Sequence, residues 1–283
     1  MDFFDLHCDT PYECYKKDCE FYVNQLSVSG SKGEIFTKWS QVFAIWIKDD
    51  QKEPFNLYKN LLDDFKQKLD TRLKNLTPYF SVEGGAVLED DSDRLFTLKE
   101  DGISFLTLCW NGENRICGGI KSEKCLTPFG YEVVEKMNRL KIACDLSHLN
   151  KKSFYKALEI SDFPLATHSN CAAVCDHPRN LTDDMLSLLA EKNGIAGLCF
   201  YPDFLASHPF EAIYQNIFHL LDMGFENNIA IGSDFDGGVM HESLDNISKI
   251  PTLYGFLEKK GIAKPILNKI FYENAQNYVA KLI

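Results

Sequence analysis

The sequence predicts an α/β protein closed into a (β/α)8 TIM barrel, on three observations. Eight short apolar runs rich in Val, Ile, Leu and Phe recur along the 283 residues: DFFDL, QVFAIWI, PYFSV, ISFLTLC, KIACDL, FPLATH, IAGLCFY and NIAIGSD. Stretches with helical spacing of apolar residues lie between most of them. No Pro-, Gly- or Ser-rich linker, low-complexity tract or fixed-period repeat interrupts the chain. Strands alternating with helices make parallel βα units, and eight such units close most naturally into a barrel. One domain over residues 1–283 is the expectation, close to the roughly 250 residues usual for such barrels.

In chain order, the first run, DFFDL, is followed by residues 11–40, which lack a clear helical stripe and are expected to form a long connection over the barrel mouth. QVFAIWI leads into the periodic segment FNLYKNLLDDFKQKL, and PYFSV into DRLFTLKEDG. ISFLTLC is followed by GYEVVEKMNRL, KIACDL by KSFYKALEI and FPLATH by LTDDMLSLLAEKNG. IAGLCFY precedes FEAIYQNIFHLLDMG, and after NIAIGSD the chain closes on PILNKIFYENAQNYVAKL.

Composition narrows the function classes. A net charge of -11 supplies no basic stripe for phosphate backbones, which argues against a nucleic-acid partner. No apolar stretch reaches the roughly 18 residues a membrane span needs, and Asp2, Asp5, His7 and Asp9 at the very start do not suit a secretory signal. A cytoplasmic location without membrane association is expected. The ten cysteines are spread along the chain, several inside apolar runs, and read as buried free thiols rather than a disulfide framework.

In such barrels the chemistry sits at the C-terminal ends of the strands. The first run ends in His7 and Asp9, the third in Glu83, the fifth in His148, the sixth in His168 and the eighth in Asp234. Side chains two apart on an extended segment point the same way, so His7 and Asp9 could share one ion. Gathering six ionisable groups in one cup costs several kcal/mol each unless cations neutralise them. Imidazole and carboxylate donors without thiolate suit Zn²⁺ in a catalytic site. Three histidines and three carboxylates exceed the need of one ion, which favours two Zn²⁺ sharing a bridging carboxylate.

With these residues in place the sequence resembles the membrane dipeptidase (renal dipeptidase) family, metallopeptidases of the amidohydrolase superfamily. The likeness runs in order through DLHCDT, SVEGG, SFLTLCWNGEN, ACDLSH, THSNCAAVCDHPRNL and IGSDFDG. It implies a barrel with a two-zinc centre that hydrolyses dipeptides. His7 and Asp9 would hold one zinc, Glu83 would bridge, and His148 with His168 would hold the other. Arg179, in HPRN, matches the arginine that grips the substrate's C-terminal carboxylate, and Asp234 the acid beside the metals. Two departures bear on substrate choice. LTLCW places Trp110 where mammalian members carry a substrate-contacting histidine, and YENAQNYV keeps only part of the glycine-containing C-terminal motif. The mammalian membrane anchor has no expected counterpart.

The expected reaction is attack of a metal-bridging hydroxide on the scissile carbonyl, with Asp234 taking the proton and passing it to the leaving amine. Arg179 offers a planar fork for a carboxylate, and Trp110 and Tyr201 would line the substrate cup, with Asn111 and Asn170 ranked below them. Two alternatives stand beside the dipeptidase: a related amidohydrolase acting on N-acyl amino acids or lactams, and a barrel kept as a non-catalytic scaffold. The last is disfavoured because degenerate relatives usually lose ligands. A homodimer is compatible with everything above.

Overall fold

Eight parallel strands with helices between them form the barrel in the computed structural model, which describes residues 1–69 and 72–282. The strands are β1 (Asp2–Cys8), β2 (Lys38–Trp46), β3 (Leu76–Glu83), β4 (Ile103–Thr107), β5 (Ala143–Asp145), β6 (Pro164–Leu165), β7 (Ala196–Leu198) and β8 (Ile229–Ile231). They pair in the order β6-β5-β4-β3-β2-β1-β8-β7. Ala166, just past β6, bridges Ala196 of β7 in parallel, with Gly197 N–H donating to the Ala166 carbonyl at 2.8 Å, and this contact closes the circle.

The helices are α1 (Thr10–Lys17), α2 (Gly30–Gly33), α3 (Pro54–Lys68), α4 (Arg94–Glu100), α5 (Pro128–Leu140), α6 (Lys151–Ile160), α7 (Asp183–Glu191), α8 (Pro209–Asp222), α9 (Ile250–Lys259), α10 (Lys264–Asn268) and α11 (Asn274–Val279). Every periodic segment of the sequence forms a helix at the expected place. Three of them start on a side-chain cap: Thr127, Asn150 and Thr182 each accept a backbone N–H three residues ahead. Three helices were not expected. Residues 11–40, read as one connection, contain α1 and α2, and their last three residues belong to β2. The third is α9, between β8 and the closing segment. No helix among the described residues is long and apolar enough to cross a membrane.

Two apolar clusters hold the layers together. The larger packs the outer faces of the strands, including Phe3, Phe43, Ile45 and Val82, against Tyr58, Leu61, Val133 and Ile217 of the helices. The smaller fills the barrel interior with Phe4, Leu6, Val42, Phe105, Ala143, Leu165 and Ala230. Tyr278 and Val279 of α11 join this inner cluster, and the Tyr278 hydroxyl donates to the Pro164 carbonyl at 3.0 Å. The C-terminal helix thus covers the N-terminal ends of the strands, leaving the opposite end open for chemistry.

One irregularity aims a functional side chain. Asp5 pairs with Gln41 and Cys8 with Phe43, so β1 spends three residues where β2 spends two. Such a bulge reverses the in–out alternation. Leu6 faces the interior before the bulge, and His7 can then follow it inward rather than point at the helix layer.

Candidate metal centre and substrate cavity

Each of the six strand-end residues reaches the cup by its own backbone route. His7 is placed by the bulge in β1. Asp9 lies beyond the strand, at the residue before α1, with φ -94° and ψ 15°, and its carboxylate makes no capping hydrogen bond. The strand alternation invoked for His7 and Asp9 therefore does not apply, although the two still meet. Glu83 ends β3 and is followed by Gly84 at φ +124°, where a Cβ would lie 2.0 Å from the Ile47 carbonyl oxygen. His148 and Asp234 both adopt left-handed backbone, at φ 70° and 63°. Such conformations cost of order 1 kcal/mol or more in a residue with a Cβ, and they cluster where geometry serves function.

The side chains converge. His7 Nε2 lies 3.6 Å from Asp9 Oδ2, 3.6 Å from Glu83 Oε2 and 4.0 Å from Asp234 Oδ1. The other oxygen of Glu83, Oε1, lies 2.7 Å from His148 Nε2 and 3.7 Å from His168 Nε2. The ligand atoms thus fall into groups within 4.8 Å: His7, Asp9 and Glu83; Glu83, His148 and His168; and His7, His168 and Asp234. Glu83 sits between the first two with one oxygen toward each.

The electrostatics favour the cation-binding forms of Glu83, His148 and His168 and the protonated forms of His7 and Asp9. Burial works against the Glu83 carboxylate, yet His7 and His148 outweigh it and hold the group well below its usual range. Burial, reinforced by Arg179, brings His148 down to about 4, and burial with His7 takes His168 well below its ordinary value. Both imidazoles are therefore neutral near pH 7, the form that ligates metal. Burial also opposes charge on His7, but Glu83 and Asp9 prevail and raise it. Asp9 is raised by burial and by Glu83, and Asp234 is pushed up to about 6 by burial.

The donor set fits divalent metal on two observations. His7 Nε2 and Asp9 Oδ1 are buried with no hydrogen-bond partner, an expensive arrangement for polar atoms in a dry site. Further, His148 Nδ1 faces Asn111 Oδ1 at 2.9 Å, an atom that can only accept, so the lone pair of His148 is on Nε2. That lone pair lies 2.7 Å from His168 Nε2 and as close to the Glu83 carboxylate, an assembly of acceptors that a cation would satisfy.

Beside this cluster opens a cavity of about 530 Å³. Arg179, Trp110 and Tyr201 line it together with Asp234 and His148, while Asn170 instead ties the loops after β6 and β7 by accepting from Cys199 N–H at 2.9 Å. Arg179 is only 4% exposed, has no carboxylate within ion-pairing distance among the described residues, and leaves its Nε without a partner. Its guanidinium lies 5.2 Å from the centre of the Phe204 ring, and Nη2 donates to the His168 carbonyl at 3.4 Å. Trp110 meets Trp46 edge-on at 5.2 Å, and Trp46 meets Tyr12 at 4.9 Å, forming an aromatic wall.

Several residues of the site escape sequence reasoning. Asp49, in the loop after β2, accepts from the N–H groups of Trp110 at 3.0 Å and Gly112 at 2.7 Å and so holds the WNG segment over the cup. The Cys199 thiol donates to Asp234 Oδ2 at 3.5 Å. Tyr12 and Trp46 reach the cavity from α1 and β2. For Asp5 and Asp145 a signal did exist, an aspartate set inside an apolar run. Both are fully buried, and each accepts four hydrogen bonds that tie neighbouring strand ends together.

Comparison with known proteins gives a consistent picture. The chain matches the family model described as membrane dipeptidase (peptidase family M19) over residues 41–281. It is 34% identical over 201 residues to dipeptidase verJ of Clonostachys rogersoniana, covering 68% of this chain and 52% of that protein. To an uncharacterized dipeptidase of Schizosaccharomyces pombe it is 31% identical over 209 residues, covering 70% and 51%. The matched region spans about half the length of these two fungal relatives. A metallo peptidase from Rhodobacter sphaeroides, solved with a phosphinate mimic of the dipeptide L-Ala-D-Ala, superposes with a TM-score of 0.90 at 22% identity, covering 100% of this chain and 99% of that one.

Proposed function

From the premise that the chain belongs to the membrane dipeptidase family, peptidase family M19, a family of metallo-dipeptidases, we propose that it is a zinc-dependent dipeptidase hydrolysing dipeptides in the cup above the barrel. The observation that carries this reading is the buried, unpaired Arg179 guanidinium sharing one cavity with the histidine–carboxylate cluster. A buried cation without an anion is costly, and a ligand that brings a carboxylate relieves that cost. A dipeptide with a free C-terminus offers both a carboxylate for Arg179 and a scissile amide for the cluster within one cavity.

Two Zn²⁺ ions would fit the donor set: His7 and Asp9 would hold one, His148 and His168 the other, and Glu83 would contribute to both. When bound, such ions lower the pKa of water and polarise a carbonyl oxygen. The chain's own residues do the rest. Arg179 anchors the carboxylate by a charge-assisted pair of hydrogen bonds and so fixes the peptide's register. Asp234, at the cavity wall with Oδ2 held by Cys199, takes up the water proton on Oδ1 and delivers it to the leaving amine, a general acid–base role worth about 10²- to 10⁴-fold. Trp110 and Tyr201 shield the peptide from solvent. The eight βα units complete one barrel, and we take residues 1–283 as one catalytic domain.

A panel of dipeptides, their C-terminal amides and N-acyl amino acids, offered to zinc-loaded protein, tests the proposal. Hydrolysis of the dipeptides with rejection of the amides is expected. Preference for N-acyl amino acids would replace the dipeptidase with a related amidohydrolase, and absence of turnover on every substrate would leave only a scaffold.

A further inference from the structure

We propose that Asp145 is a positioning residue which, through the Thr167 hydroxyl, holds His168 in the tautomer with its proton on Nδ1 and its lone pair on Nε2. The inference rests on the metal-centre reading for its purpose, but the tautomer itself follows from counting protons in a closed network.

Asp145 ends β5 and is buried among β4, β5 and the turn after β6. Its Oδ1 accepts from the N–H groups of Ser147 and Thr167, both at 3.0 Å. Its Oδ2 accepts from the hydroxyls of Thr107 at 2.6 Å and Thr167 at 2.7 Å. A hydroxyl has one proton, and that of Thr167 is committed to Asp145. At its 2.8 Å contact with His168 Nδ1 the Thr167 oxygen must therefore accept, so the ring proton is on Nδ1. Its remaining neighbours, Ser147 Oγ at 3.4 Å and His7 Nδ1 at 3.5 Å, are too distant to compete for the proton. Nε2 of His168 is left with its lone pair aimed at Glu83 and His148. A hydrogen-bonded partner on the far nitrogen is the usual device for fixing a metal-binding imidazole.

Asp145→Asn should invert the arrangement without changing its shape. The two backbone N–H groups keep the amide oxygen at the Oδ1 position, so the amide NH₂ takes the place of Oδ2 and donates to Thr167. The Thr167 hydroxyl then turns its proton to His168 Nδ1, which favours the tautomer protonated on Nε2. An Asp→Asn change behind a catalytic histidine has this effect in serine proteases.

The test is long-range proton–nitrogen correlation NMR on the metal-free, histidine-labelled full chain, with zinc affinity measured by chelator competition. Wild-type His168 should show Nδ1–H, and an Nε2–H signal would overturn the proposal. Asp145→Asn should show Nε2–H and bind zinc about 10- to 100-fold more weakly. Retained Nδ1–H, or affinity within twofold of wild type, would overturn it. If Asp145→Asn does not fold, the pair Thr167→Val and Thr167→Ser decides: loss of affinity in the first and rescue in the second support the relay, and equal affinities refute it. Wild-type protein that shows Nδ1–H but takes up no zinc would refute the metal reading and uphold the relay.

Discussion

Arg179→Met separates binding from stability in opposite directions. The guanidinium is 4% exposed, its Nε is unsatisfied, and no carboxylate lies within ion-pairing distance among the described residues. Methionine keeps the length and packing of the stem and removes the charge. Truncating one partner of a buried, hydrogen-bonded charge pair costs about 2–5 kcal/mol. With both substrate oxygens engaged, the upper part of that range applies, so KM for a dipeptide should rise roughly 10²- to 10³-fold, or about 3–4 kcal/mol. The change in kcat should be small, because the clamp acts on ground and transition states alike. In the free protein the sign reverses. Contact with the Phe204 ring is worth about 0.5–2 kcal/mol, while an uncompensated buried charge carries a desolvation penalty of several kcal/mol, so the melting temperature should hold or rise. Steady-state kinetics on a dipeptide and its C-terminal amide, for wild type and mutant, isolate the pairwise contribution. The mutation should lower kcat/KM for the dipeptide roughly 10²- to 10³-fold and leave that of the poor amide substrate unchanged. Equal losses on both substrates, with zinc content intact, would refute the assignment of Arg179 to the carboxylate.

Asp234→Asn keeps the shape of the side chain and removes its proton capacity; kcat should fall about two to four orders of magnitude, with KM and metal content near wild type, and early loss of metal on dialysis would make Asp234 a ligand instead. Gly237→Ala would set a Cβ 2.5 Å from both Asp234 Oδ1 and Asp9 Oδ2, so kinetics and elemental analysis should show lowered activity and metal content while the melting curve barely shifts; full activity would mean that these carboxylates have room to move. His168→Ala should reduce zinc content per chain by inductively coupled plasma analysis, and a wild-type value would make the histidine a bystander.

The strands were legible because a parallel sheet covered on both faces needs continuous apolar runs, and runs as short as FAIW or FLTL between helical segments fit strands better than helices. Seven helical segments were legible for the complementary reason, an apolar stripe facing the sheet. Helix α1, TPYECYKK, hid because Cys14 is its one fully buried side chain after the first turn, so no stripe forms. Helix α9, IPTLYGFLEK, contains Pro251 and Gly255, which read as breakers; the proline lies in the first turn, where its missing N–H is harmless, and the glycine faces open space. Strand β6 shrank to two residues because Thr167 and His168 leave the ladder to serve the cup. The six metal-type residues were visible at strand ends, since a barrel gathers those ends whatever lies between. Their supporting partners were not. Thr167 with Asp145, or Asp49 with the N–H groups of the WNG loop, are linked across tens of residues by register alone, which no local pattern encodes.

Zinc titration of chelator-stripped protein, followed by dipeptide hydrolysis at each addition, measures the central claim most directly. Activity should be absent without metal and climb to a plateau at two equivalents per chain. Hydrolysis by the stripped protein at the full rate, or a flat absence of hydrolysis after two equivalents are bound, would contradict a two-zinc dipeptidase.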